Sequence, residues 1–258
     1  MANQSPQPRL LCIDFDNTIV KGHFHQTLMR SGFVPRITGQ VLNDGRENGV
    51  QTQVKGQFTN TKTGEVASGF STNPRGEPLT IQEIQKNLYG EHVGGFKNGP
   101  QMCSAIKAAL KNGNKVAITS FTLYPEVLLP ALQMLSDTEK NRLTEQELSQ
   151  IFIVGGFPSA GASSPLAKQE HILTAMIHFG ITQNTNVMLV DDSEKNVTVA
   201  RANGMLATFV PTQPDVKPSV YFEEINQFVA VGPLLRTQNA NTADQPKGPA
   251  TQRIQADQ

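Results

Sequence analysis

An excess of charge of one sign is missing from this 258-residue chain: Lys and Arg number 22, and so do Asp and Glu. No overall field therefore draws it to nucleic acid or to an anionic membrane. Cysteine is scarce. The two present, Cys12 and Cys103, make no disulfide framework; one lies in an apolar run and the other in a helical pattern, and both read as reduced core thiols. No apolar run could span a bilayer, and the opening Met1-Ala2-Asn3-Gln4-Ser5-Pro6-Gln7-Pro8 has no apolar signal region. A soluble protein in a reducing, cytoplasmic setting is the expectation. Also lacking are an internal repeat, a Cys/His/Asp spacing suited to zinc, and a GxxxxGK phosphate loop.

What is present begins with Leu10-Leu11-Cys12-Ile13-Asp14-Phe15-Asp16-Asn17-Thr18-Ile19-Val20. An apolar run ending in acids two residues apart reads as a buried strand that delivers carboxylates to its carboxyl end. Residues i and i+2 of a strand share a side, so Asp14 and Asp16 are expected as neighbours. Such a pair needs a cation, a shared proton or a division of labour between nucleophile and acid.

From about residue 98 to 211, apolar runs alternate with helical patterns. A helix is expected over Pro100–Leu110, closed by Asn112-Gly113-Asn114, and a strand over Val116–Ile118 ending in Thr119-Ser120. A helix from Pro125 to Leu135, a strand Ile151–Val154 closed by Gly155-Gly156, and a helix Lys168–Phe179 follow. Then come a strand Val187–Val190 ending in Asp191-Asp192, a helix closed by Arg201-Ala202-Asn203-Gly204, and a last strand Ala207–Val210. This alternation predicts an α/β fold: a doubly wound, Rossmann-like parallel sheet of about five strands, covered on both faces, with its ligand site outside the strands' carboxyl ends. Those ends collect four carboxylates (Asp14, Asp16, Asp191, Asp192) and the Ser120 hydroxyl on one rim, beside Lys168 at the start of a helix. Any one acidic strand end fits a solvated turn; their recurrence at one end of successive strands marks a site.

With those residues assembled, the chain resembles a haloacid dehalogenase (HAD) superfamily phosphatase. Leu10–Val20 corresponds to motif one, Val116–Ser120 to motif two, Lys168 to motif three and Val187–Asp192 to motif four. Ser120-Phe121-Thr122, Ala167-Lys168-Gln169-Glu170-His171 and Asp191-Asp192-Ser193-Glu194-Lys195-Asn196 resemble the magnesium-dependent phosphatase branch, some members of which act on phosphotyrosine. The resemblance implies Asp14 as nucleophile and Asp16 as general acid and base. It implies Ser120 and Lys168 on the phosphoryl group, and Mg²⁺ held by Asp14, the Asp16 backbone carbonyl, Asp192 and, assisting, Asp191. The implied activity is phosphomonoester hydrolysis through an aspartyl-phosphate, with a phosphorylated protein or small molecule as substrate. A phosphotransferase on the same scaffold and an inactive binding module are the alternatives.

The neighbouring polar residues carry simpler expectations. Thr119 competes with Ser120 as the substrate-binding hydroxyl. Thr18 reads as bonding its own loop; His23 and His25 read as a solvated helix start, and His171 and His178 as structural. Asn17 and Asn196 fit equally well as holders of a metal shell or as turn and first-turn residues. The organisation expected is a flexible lead-in over 1–8, a phosphatase domain over 9–235 and a disordered polar tail over 236–258. The tail's composition is also compatible with an export signal of a bacterial protein acting inside another cell. A small, partly β insert over roughly 20–97 is expected to leave the site open. In it, a short helix runs from His25 to Ser31, ended by Gly32, and a second from Thr80 to Leu88, with Ile81, Ile84 and Leu88 on one side. A hairpin of the 50–54 and 57–59 stretches turns at 60–64 to reach Glu65-Val66-Ala67.

Overall fold

Four consecutive apolar residues, Leu10–Ile13, form β1, and none of them is accessible to solvent. A strand buried on both faces has to lie inside a sheet. In this computed structural model, which describes residues 8–35, 51–54, 57–60, 71–136, 141–156, 166–212 and 218–232, β1 lies between two parallel partners. These are β4 (Lys115–Thr119) and β6 (Val187–Asp191). Beyond β4 comes β5 (Ile151–Gly155), and beyond β6 comes β7 (Leu206–Phe209), both again parallel. These five strands are the expected doubly wound sheet, and the chain is α/β.

Strand alternation divides the core. Leu11, Ile13, Val116, Ile118, Met188 and Val190 face one side, where α3 (Gly99–Lys111), α4 (Leu128–Gln133) and α8 (Ser219–Ala230) pack. Leu10, Cys12, Ala117, Val187 and Leu189 face the other, under α6 (Ala167–Phe179) and α7 (Glu194–Ala202). Both cysteines are free and buried. The Pro125 helix begins as a 3₁₀ turn over Pro125–Val127 and becomes α-helical at Leu128. A four-residue helix, α5 (Glu145–Leu148), starts on a capping box between Thr144 and Glu147. Nothing in the sequence reading anticipated α8, although Tyr221, Phe222, Ile225, Phe228 and Val229 make a buried stripe at helical spacing.

The segment between β1 and α3 carries α1 (Phe24–Arg30), then β2 (Gln51–Val54) and β3 (Gln57–Asn60), then α2 (Ile81–Leu88). Gly32 ends α1's turn at a φ of 78°, a conformation open to glycine without strain. A capping box between Thr80 and Glu83 starts α2; Ile84 and Leu88 are buried, but Ile81 is half-exposed. β2 pairs antiparallel with β3, Val54 opposite Gln57; the turn expected at 60–64 lies, after Asn60, outside the described residues. β2 also pairs antiparallel with the end of β5, Gln51 opposite Gly155. The hairpin thus continues the core sheet, giving the order β3-β2-β5-β4-β1-β6-β7. Glu65-Val66-Ala67, the lead-in over 1–7 and the tail over 236–258 lie outside the described residues. No described helix is long and apolar enough to cross a membrane.

Candidate active site

The sheet continues for one residue past β1: the Asp14 N–H donates to Val190 O at 2.9 Å. Asp14 therefore keeps the alternation and follows Cys12 toward the α6 side. Asp191, the last residue of β6, follows Leu189 to that side too. Lys168, in the first turn of α6, meets both.

Its ammonium donates to Asp14 Oδ1 at 2.5 Å and to Thr119 O at 2.9 Å, with Asp191 Oδ2 at 3.4 Å. All three side chains are buried. Burial alone would lower the Lys168 pKa; the charges of Asp14 and Asp191 outweigh it and hold the ammonium above its ordinary value. Burial pushes the Asp14 carboxyl well up, Lys168 opposes this, and Asp191 and Asp192 add to the rise. One ammonium thus stands against three carboxylates, an imbalance that invites a further cation.

Oxygen atoms of Asp14, Asp191 and Asp192 all lie within 4.8 Å of one another. Ser193 N at 2.9 Å and Asn196 Nδ2 at 3.0 Å hold Asp191 Oδ1. Asp191 Oδ2, in contrast, is buried with no hydrogen-bond partner among the described residues, and the Lys168 ammonium lies 3.4 Å from it. An all-carboxylate set with an orphaned buried oxygen fits a hard divalent ion such as Mg²⁺, which takes oxygen ligands. Asn196 holds one of the acids from the first turn of α7, where its backbone N–H also meets the Ser193 hydroxyl, so both expected readings fit it.

Asp16 is placed differently. Because β1 stops at Ile13, strand alternation does not carry Asp16 to Asp14's side. Its Oδ1 instead accepts from Phe24 N, at the start of α1, at 2.8 Å. Its carboxylate stands outside the Asp14–Asp191–Asp192 group but lines the same cleft. Burial pushes its pKa up to about 6, opposed by the bond from Phe24 N. Ser120 Oγ is buried, lines the cleft and has no hydrogen-bond partner among the described residues. Thr119 is not among the lining residues: its backbone carbonyl holds Lys168, and its hydroxyl is buried and unpartnered. Thr18 Oγ1 faces Asp14 Oδ2 at 3.5 Å rather than its own backbone.

The cleft measures about 570 Å³. Besides the acids, its walls include Gln26 and Met29 of α1, and Phe121. His23 and His25 also line it; His25 is mostly buried, its Nδ1 accepting from Leu123 N at 3.2 Å, and burial lowers its pKa to about 4. Asn17 sits at a φ of 55° with its amide nitrogen 3.1 Å from His23 Nε2. Lys97, which sequence reasoning missed, donates to Asn17 O at 3.0 Å and to Pro211 O, tying the loop after β1 to the chain after β7. No motif flags a lysine there. Phe121 follows Ser120 directly, but its residue type carries no chemistry that would mark it for a site.

No family model matches the chain, and no curated protein matches it. Among solved structures it is similar to the Legionella pneumophila effector Ceg4, at 13% identity over 88% of this chain and 97% of that one, with a TM-score of 0.46. It is similar to CbbY from Rhodobacter sphaeroides, solved with phosphate, at 14% identity over 87% and 100%, with a TM-score of 0.40. A HAD-superfamily hydrolase from Ehrlichia chaffeensis matches at 15% identity over 88% and 98%, with a TM-score of 0.39.

Proposed function

We propose that this cleft hydrolyses phosphomonoesters, with Asp14 as the nucleophile. One observation carries the reading: Asp14 stands with Asp191 and Asp192 in a cluster suited to a cation while sharing a buried hydrogen bond with Lys168. A phosphate dianion needs its charge neutralised as phosphorus is attacked, and this rim supplies both a fixed ammonium and the ligands for a metal. Asp14, Asp191 and Asp192, with the Asp16 backbone carbonyl, would hold Mg²⁺, which when bound neutralises phosphoryl charge and admits a dianion beside the acids.

The residues divide the chemistry as follows. Asp14 attacks phosphorus in line, its carboxylate oxygen bonding as the ester P–O bond breaks. Asp16 gives its proton to the departing oxygen; its raised pKa keeps more of it protonated near neutrality than an ordinary aspartate. Water then attacks the same phosphorus and loses its proton to Asp16, and the bond to Asp14 breaks to release phosphate. Ser120 Oγ, buried and without a partner, donates to a phosphoryl oxygen, and Lys168 offsets charge on that group and on Asp14. Thr119 contributes its carbonyl, by holding Lys168, rather than its hydroxyl.

The substrate class we propose is a phosphorylated side chain of a protein, phosphotyrosine first. Support comes from the mouth of the cleft, where α1 presents Gln26 and Met29, the latter half-exposed. A protruding side chain can reach the acids past such a wall. The test is phosphate release from phosphotyrosine peptides beside sugar phosphates and nucleotides, in Mg²⁺ and after EDTA. Peptides should lead, EDTA should stop release reversibly, and Asp14→Asn should abolish it. Release by a folded Asp14→Asn protein would overturn the assignment, and preference for sugar phosphates would replace the substrate class.

A further inference from the structure

Resting on that phosphatase reading, we propose that Phe121 and His171 form a back wall to the phosphoryl seat. Phe121 holds one side of the Lys168 ammonium against its aromatic face, and His171 acts as a positioning residue that fixes Phe121 in that pose.

The Lys168 ammonium lies 4.5 Å from the centroid of the Phe121 ring. Asp14, Thr119 O and Asp191 occupy its polar directions. The side toward Phe121 meets an aromatic face, which attracts a cation without competing for its protons. Phe121 lines the cleft next to Ser120, as does Lys168 itself, so the ring flanks the ammonium where both face the phosphoryl seat.

His171 lies three residues beyond Lys168 on α6, on the same helix face. It is fully buried, with its ring 5.0 Å from that of Phe121 and tilted by 52°. Its Nε2 is 3.0 Å from Gly156 O. A carbonyl only accepts, so the proton belongs on Nε2 and Nδ1 is left bare. Nδ1 has no hydrogen-bond partner. Burial first, and then the charge of Lys168, lower the His171 pKa to about 3, so the ring is neutral and does not repel the ammonium. The circuit closes through the backbone, because Gly156 N donates to Thr122 O at 2.8 Å. The loop after β4, the end of β5 and the first turns of α6 are thereby tied around one aromatic ring. A leucine would fill this space with no orphaned nitrogen. The histidine adds both a flat ring against Phe121 and a donor for Gly156 O.

The test titrates inorganic phosphate calorimetrically into the full chain in saturating MgCl₂, alongside kcat and KM on an aryl phosphate. Phe121→Leu removes the aromatic face, His171→Gln keeps a donor without a ring, and His171→Phe keeps a ring without a donor. Phe121→Leu should weaken phosphate binding roughly tenfold, the scale of one desolvated cation–π contact. His171→Gln should raise the phosphate Kd and KM together, with kcat much less affected, and His171→Phe should fall between it and wild type. If the His171 variants merely melt earlier and keep the wild-type phosphate Kd, His171 is structural and the proposal is overturned. Phosphate binding by a wild type that releases none would sink the phosphatase reading while still deciding the back wall. A wild type that neither binds nor releases phosphate would end both.

Discussion

Lys168→Met tests the electrostatic centre of the molecule without any substrate. Methionine roughly preserves the length of the side chain but removes the ammonium. Two buried carboxylates, Asp14 and Asp191, then lose their shared counter-charge. Lys168 is 1% exposed, so solvent screening gives little relief. Breaking a buried pair by removing one partner costs about 3–5 kcal/mol. For a protein of this size, about 2–4 °C per kcal/mol makes that a drop of roughly 6–20 °C in Tm.

Protonation of Asp14 limits the loss, and the sign follows. With Lys168 gone, burial raises the Asp14 pKa further above its unfolded value of about 4, so its contribution is full at low pH and is lost as pH rises. The gap between variant and wild type should therefore widen from pH 5 to pH 8. The assay is urea and thermal unfolding in EDTA at both pH values. Asp14→Asn in the Lys168→Met background should recover part of the loss, giving a coupling energy well above about 1 kcal/mol in a double-mutant cycle. A single variant within about 1 kcal/mol of wild type at pH 8, or a gap that narrows with pH, would refute the buried ion pair as drawn.

Asp16→Asn should cut turnover about 10²–10⁴-fold on alkyl phosphates, and far less on an aryl phosphate whose leaving group needs no proton; equal losses on both would remove Asp16 as the acid. In metal-free protein, ¹³C NMR should show Asp16 titrating near pH 6, above its unfolded value, so wild type loses stability as pH rises through that midpoint and Asp16→Asn does not. Mg²⁺ at about 100 times its Kd should add about 2.7 kcal/mol to stability; Asp192→Asn should lose most of that gain, and a full gain would exclude Asp192 as a ligand. Gly99→Ala should destabilise the fold by several degrees in a thermal melt, because a Cβ there would come within 2.3 Å of Leu135 O.

The five parallel strands were legible because each is a short apolar run closed by glycine, a hydroxyl or an acid. Burial on both faces leaves such a run no other home. Lys168 was legible through its place at the start of a helix between two such strands. What escaped depends on where elements stop and what they meet. The i, i+2 rule made Asp14 and Asp16 neighbours, but it holds only inside a strand, and β1 ends one residue before Asp14. No local signal shows that β2 borders β5. The stripe of α8 stands at helical spacing in the sequence, but it carries no polar signal and borders a polar tail. Lys97 had no motif to mark it.

Of the described strands, the first to be synthesised is the one the sheet needs in its middle. β1 waits for β4, more than a hundred residues later, to cover one edge, and for β6, more than seventy later still, to cover the other. Until then an apolar ribbon with unmet hydrogen-bonding groups is exposed to any passing strand, a hazard for slow, long-range topologies. Asp14 and Lys168 are 154 positions apart, so a nascent chain has no paired centre until α6 has been made. Truncation before β6 should therefore yield aggregate rather than a weak enzyme.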